Sequence, residues 1–299
     1  MSAGDWGGMA VERPPLVVIA GPTASGKSAY ALALAEARDG VLINADASQV
    51  YADLPILSAA PSEAERARAP HRLFGTVDGA QASTAALWAG LAGAEVAAAH
   101  AQGRLPILVG GTGLYLRTLL DGIATVPGIK LQVRATIRTM PPSQVRARLE
   151  AEDRVMAARL HPNDAQRNAR ALEVIRSTGR SLADWQSAPA EGGLAGRVAL
   201  EPLVIDRPRD ELVQRIDARV DAMWAAGALH EVKRLAARGL SPALPAMRAI
   251  GVPPLLAHLA GELSVAEALA RWKLDTRQYA KRQATWLRNQ LGGWPRMSI

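Results

Sequence analysis

Apolar residues fall in short unbroken runs in the first third of the chain and at helical spacing further on. Leu16-Val-Val-Ile-Ala20, Val41-Leu-Ile-Asn-Ala45 and Leu105-Pro-Ile-Leu-Val109 are of strand length and are bounded by glycine or polar residues. Unbroken apolar runs predict strands covered on both faces, as in a parallel sheet. Helical stretches separate them. One covers Ala29 to Ala35; a long alanine-rich one is capped by Ser83 or Thr84, reaches about Gln102 and stops at Gly103. Pro55 and Pro61 break helices, and the charged stretch 60–70 reads as loop. Strands alternating with helices predict an α/β fold with crossover helices.

Beyond Leu119 the pattern becomes helical and arginine-rich, between Pro127 and a Gly/Pro/Ala stretch at 187–196. Val198–Ile205 reads as a strand that returns to the sheet. Residues 208–291 read as helical, with breaks at Gly227, 239–245, Pro253-Pro254 and Gly261. The predicted organisation is a core over 1–118, a helical insertion over 119–196, and a second part of the core over 197–299. Residues 1–15 carry neither a basic start nor an apolar signal core and read as a short disordered lead.

Gly21-Pro-Thr-Ala-Ser-Gly-Lys-Ser28 fits G-x-x-x-x-G-K-[ST] between the first strand and a helix. That context makes it a phosphate cradle, with Lys27 on the outer phosphates and the Ser28 hydroxyl on Mg²⁺. The fold class is therefore a P-loop NTPase-like parallel sheet flanked by helices, with a helical insertion domain. The second strand runs into Asp46 and the third into Gly110-Gly-Thr-Gly113. Ligands of such sheets collect at the carboxyl ends of strands. Asp46 there can hold Mg²⁺ through water, act as a general base, or merely cap a turn. The glycine-ended third strand lacks the Asp that an ATPase often uses for Mg²⁺, which counts against γ-phosphate hydrolysis. Its glycines suit close approach by a substrate or by backbone, with Thr112 as a hydroxyl donor, or a plain tight turn.

Composition narrows the partners. No cysteine is present, which excludes disulfides, thiolate metal sites and cysteine nucleophiles. No window approaches the roughly 18 apolar residues of a membrane span, so a cytoplasmic protein without membrane attachment is expected. The formal charge is +7, with arginine far above lysine, which suits a polyanion or reflects genome composition. Where the charges sit decides more. After His161-Pro-Asn-Asp164, Ala165, Ala169 and Leu172 share one helical face and Arg167 and Arg170 the other, as solvated surface arginines, the usual outcome, or as a phosphate- or base-contacting pair. His161 has no metal-ligand spacing around it. Near the C-terminus Arg277, Lys281 and Arg288 share a face, interleaved with glutamine and aromatic residues. That mixture suits single-stranded RNA, or else a solvated amphipathic helix with Trp286 in the core.

The motifs GPTASGKS, INADASQVY, PHRLFG, LVGGTGLYLR, HPNDAQRNARALEVIRSTGR, RIDARVDAMW, MRAIG and TRQYAKRQATWLR occur in this order from Gly21 to Arg288. The chain thereby resembles the tRNA dimethylallyltransferase (tRNA isopentenyltransferase) family. The resemblance implies transfer of a dimethylallyl group from its pyrophosphate to N6 of the adenine 3′ of the tRNA anticodon, with Mg²⁺ and without ATP hydrolysis. It implies that Gly21, Pro22, Thr23, Ala24, Ser25, Gly26, Lys27 and Ser28 hold the pyrophosphate together with Arg219. Asp46 would be the base, Thr112 would flank the allyl or adenine site, and Ser28 would meet Mg²⁺, with Asp46 through water. Further tRNA contacts implied are Ala47, Ser48 and Gln49, then Gln166, Arg167, Asn168, Ala169 and Arg170. The last group is Arg248, Lys281, Arg282, Gln283 and Arg288. The insertion would bind the anticodon stem-loop, and the enzyme would act as a monomer. The chain departs from the family at Ala47 (usually Ser), at Leu57-Ser-Ala-Ala60 (usually Gly-Thr-Ala-Lys) and at Val252-Pro-Pro254. Two rival readings are a P-loop small-molecule or nucleotide kinase and a catalytically silent RNA-binding protein.

Overall fold

The computed structural model describes residues 13–188, 190 and 192–299; the expected N-terminal lead lies, up to residue 12, outside the described residues. The described residues form two compact units, 13–120 with 194–299, and those between 121 and 193.

The first unit opens with β1 (Pro15–Ala20), α1 (Lys27–Ala37), β2 (Gly40–Asn44), α2 (Glu63–Arg68), β3 (His71–Arg72), α3 (Ala85–Ala101), β4 (Leu105–Gly110) and α4 (Gly113–Asp121). The second unit holds α5 (Leu131–Arg138), α6 (Pro142–Glu152), α7 (Arg154–Arg159), α8 (Ala165–Thr178) and α9 (Leu182–Ser187). The chain then returns through β5 (Ala199–Asp206), α10 (Arg209–Ala225), α11 (Ala228–Ala237), a 3₁₀ turn (Ala246–Arg248), α12 (Val252–Leu259), α13 (Val265–Gln290) and β6 (Arg296–Ser298).

All strand pairs are parallel, in the order β3-β2-β4-β1-β5-β6. The four expected strands are its central members, and β2 and β4 are buried along their whole length. Alternation sorts their side chains onto two cores. Leu16, Val18 and Ala20 join Trp88 of α3, while Val17 and Ile19 join Ala31, Leu32 and Ala35 of α1. Thr84 caps α3, accepting from Leu87 N at 3.2 Å.

Two expectations are corrected. The stretch 60–70 contains α2, nucleated by a capping box between Ser62 and Glu65. Pro253 and Pro254 do not break a helix but sit in the first turn of α12, where a missing N–H costs nothing. The two short edge strands, β3 and β6, carry too few residues to show a periodic signal. In the second unit Ile137, Leu149 and Leu172 form a separate small core; Ala169 belongs to it, whereas Ala165 is exposed. Among the described residues no helix is long and apolar enough to cross a membrane.

Candidate active site

Strand β1 ends at Ala20 and residues 21–26 turn the chain into α1. Ala24 and Gly26 have φ of 64° and 99°, and Gly26 offers α1 no side-chain cap. The first amides of α1 are left for an anion at the positive end of the helix dipole. Lys27 lies over this turn, its Nζ donating to the Pro22 carbonyl at 3.2 Å. Burial pushes the Lys27 pKa down to about 8, outweighing the attraction of Asp46, and Arg219 adds a smaller push in the same direction.

Helix α10 supplies two more cations, one turn apart. Arg215 Nε donates to the Ala24 carbonyl at 2.9 Å, and Arg219 reaches the Thr23 hydroxyl at 3.5 Å. Burial and then the charge of Arg215 hold the Arg219 guanidinium below its ordinary range, against the pull of Asp46. Three cations therefore gather around one carboxylate, and this end of the site carries excess positive charge.

Asp46 is held by its neighbours. Fully buried Asn44 accepts from Asp46 N at 2.8 Å and donates to the Asp46 and Leu73 carbonyls at 3.0 Å. Asp46 Oδ1 accepts from Ser48 N at 2.9 Å and Ser48 Oγ at 2.6 Å; Oδ2 has no hydrogen-bond partner among the described residues. Thr112 N donates to the Ala45 carbonyl at 3.2 Å, and Thr112 Oγ1 accepts from Ala47 N at 2.9 Å. That lacing leaves the Thr112 hydroxyl proton to donate.

The glycine run serves close approach within the protein. A Cβ on Gly110 would overlap the Ala45 carbonyl, and one on Gly113 would fall inside the Trp286 indole. Gln283 completes the junction: Thr23 N donates to its Oε1 at 2.8 Å, and its Nε2 donates to the Gly111 carbonyl at 2.9 Å. Expected as a tRNA contact, Gln283 is instead a buried strut between the P-loop and the end of β4.

These groups open on a cleft of about 530 Å³. Thr23, Lys27, Ser28, Asp46, Arg215 and Arg219 line one part of it. Leu54, Leu57, Val220, Met223, Ile250 and Trp272 line another. Ala47, Ser48, Gln49 and Arg248 also border it. Gln49 donates to the Ser58 and Ala59 carbonyls at 3.0 and 2.8 Å, holding that wall. Tyr279 lies near Asp46 and Thr112, and burial pushes its phenol well above the ordinary range, so it stays a donor.

Other expected residues lie elsewhere. Lys281, Arg282 and Arg288 are exposed on α13. Arg277, read as their companion, is tied to Asp217 by Nε at 2.8 Å. In the second unit Gln166 and Arg167 are exposed and Arg170 is half-buried. Asn168 and Ala169, also expected at tRNA, are buried; Asn168 donates to the His161 and Pro162 carbonyls at 3.1 and 3.0 Å. Sequence reading missed Asn44 and Arg215 as site residues and the whole apolar wall. Arg215 had a signal, standing one turn before Arg219; the wall residues had none beyond core periodicity.

No group of three His, Asp or Glu side chains among the described residues is arranged to hold a metal. Ser28 and Asp46 line the same cleft. That donor set fits Mg²⁺, which keeps most of its waters and takes substrate phosphate oxygens.

A P-loop behind a central parallel strand, with a carboxylate at the end of a nearby strand, defines a P-loop α/β enzyme that handles a phosphorylated substrate. Comparison with known proteins narrows this. The profile described as IPP transferase matches residues 49–290, and that of isopentenyl transferase matches 14–77. The chain belongs to the IPP transferase family. It is 59% identical over 283 residues to the tRNA dimethylallyltransferase of Sphingopyxis alaskensis, covering 94% of this chain and 92% of that one. With the protein of the same name from Rhodospirillum rubrum it is 56% identical, covering 93% and 86%. Among solved structures, the tRNA isopentenylpyrophosphate transferase of Bacillus halodurans superposes with a TM-score of 0.68 at 32% identity, covering 96% and 90%. A eukaryotic dimethylallyltransferase acting on tRNA gives a TM-score of 0.80 at 28% identity, covering 95% and 74%.

Proposed function

We propose that this chain transfers a dimethylallyl group from dimethylallyl pyrophosphate to N6 of the adenine 3′-adjacent to the anticodon of tRNA. One observation carries the choice of donor. A single cleft joins an end with surplus positive charge to an apolar wall, with Asp46 beside the charged end. A pyrophosphate ester of a short hydrocarbon has matching halves. The names of the relatives support tRNA as acceptor.

In the reaction, adenine N6 attacks C1 of the allyl group, the C1–O bond breaks, and pyrophosphate leaves with the electron pair. The N6 proton goes to Asp46, whose Oδ2 is free to take it. Charge developing on the leaving group is met by Lys27, Arg219, Arg215 and the first amides of α1. Mg²⁺ would be held by Ser28, and through water by Asp46, and would offset the same charge. Gln166, Arg167 and Arg170 of the second unit would contact tRNA, and so, independently, would Lys281, Arg282 and Arg288 of α13. The adenine leaves its stack cheaply because loop bases are easily splayed. We take the enzyme to act as a monomer in the cytoplasm, where its tRNA substrate is processed.

Purified protein with Mg²⁺, dimethylallyl pyrophosphate and unmodified tRNA should add one C5H8 unit to a single adenine. Mass spectrometry of the digested tRNA reads this. An unmodified digest, with ATP-dependent phosphorylation of a metabolite instead, would establish the kinase.

A further inference from the structure

Arg215, Arg219 and Met223 stand at one-turn intervals on α10; Tyr279, Thr276 and Trp272 run at helical spacing along α13. All six line the cleft. Ion pairs Asp217–Arg277 and Asp221–Lys273 join the helices and set them antiparallel. Arg215 is thereby level with Tyr279, Arg219 with Thr276, and Met223 with Trp272. The two arginines touch the P-loop turn. At the helical rise, Met223 lies about 6 Å beyond Arg219 and about 12 Å beyond Arg215.

The wall at the level of Met223 is tightly packed. Trp272 is 2% exposed, and a Cβ on Gly251 would come within 2.7 Å of its indole and 2.6 Å of Leu57. Leu57 is pinned in turn: Ile56 N and Leu57 N donate to the buried Glu231 carboxylate at 2.7 and 2.9 Å.

We infer that Met223, backed by Trp272 and Leu57, is the floor of the allyl pocket and restricts the donor to five carbons. The inference rests on the donor reading above. An allyl chain of five carbons spans about 5 Å from its ester oxygen to its methyl ends at standard bond lengths, the scale of the one-turn backbone step from Arg219 to Met223 along α10. A chain of ten carbons needs about as much again and meets the Trp272 wall. A tightly packed apolar floor of this kind discriminates roughly 10–200-fold per misfit methylene.

The test gives the enzyme dimethylallyl or geranyl pyrophosphate with tRNA and Mg²⁺, and measures kcat/KM for each adduct by mass spectrometry. The wild type should prefer the five-carbon donor at least about 100-fold. Met223→Ala should narrow that preference at least about tenfold by gaining the ten-carbon adduct. Met223→Trp should raise KM for the five-carbon donor at least about tenfold, while inorganic pyrophosphate inhibits as it does the wild type. Three results overturn the inference. They are a wild type that uses both donors equally, a Met223→Ala enzyme with an unaltered donor ratio, and a Met223→Trp enzyme with an unaltered KM. A wild type that transfers neither group instead removes the donor reading on which the floor depends.

Discussion

The two ends of the cleft are built from opposite materials. At the charged end, eight consecutive residues and one helical face place three cations and a row of free amides around Asp46. Burying them has a cost that shows in the lowered pKa of Lys27 and the depressed Arg219. At the apolar end, residues as distant in sequence as Leu54 and Trp272 pack into the main core, where burial stabilises the fold. Changes at the charged end should therefore alter chemistry and leave the fold standing. Changes at the apolar end should weaken the fold itself.

The sharpest way to break that division is Asp46→Ala. Loss of the base should reduce transfer by about 10²–10⁴-fold. Thermal stability should be kept, and tRNA affinity should stay within about tenfold because the base acts in the transition state. Full activity in the variant would remove Asp46 from the mechanism. Next in size, Trp272→Ala should destabilise by about 3–5 kcal/mol, the ordinary cost of emptying a large core site. Calorimetry should show Tm falling by roughly 6–20 °C at about 2–4 °C per kcal/mol. An unchanged Tm would mean that the apolar wall is not part of the core.

The smallest effect concerns pH. Lys27 must keep its proton to hold an anion, and its pKa of about 8 lies below the ordinary 10.5. Affinity for a non-reacting analogue of the donor should be flat below pH 8. It should weaken by up to about tenfold per pH unit above it, until the pKa of the bound state is reached. Lys27→Arg should abolish the bend between pH 7 and 9, since guanidinium does not titrate there. Calorimetric titration across that range measures it; a bend shared by both proteins would belong to another group.

Most of the sheet was legible because its central strands are unbroken apolar runs, and the P-loop because its function lies in the backbone geometry of consecutive residues. Asp46 was legible from its place at a strand end. The roles of residues on α8 and α13 were not, because a helical sequence shows spacing but not which face meets a neighbour. Gln283 and Asn168 look like surface polar residues in sequence, yet both are buried and fully engaged. The glycines after β4 left substrate and backbone open as the thing they admit; the structure brings Ala45 and Trp286 there.

The sequence by itself determined the family, through motifs ordered along nearly the whole chain, and the P-loop and the strand-end Asp46, each read from residues adjacent in the chain. Only tertiary structure decided what stands opposite them. Arg215, Met223 and Trp272 meet the cleft because α10 and α13 pack antiparallel in one register, and that register is set by ion pairs and core packing between segments some sixty residues apart, as in Asp217–Arg277.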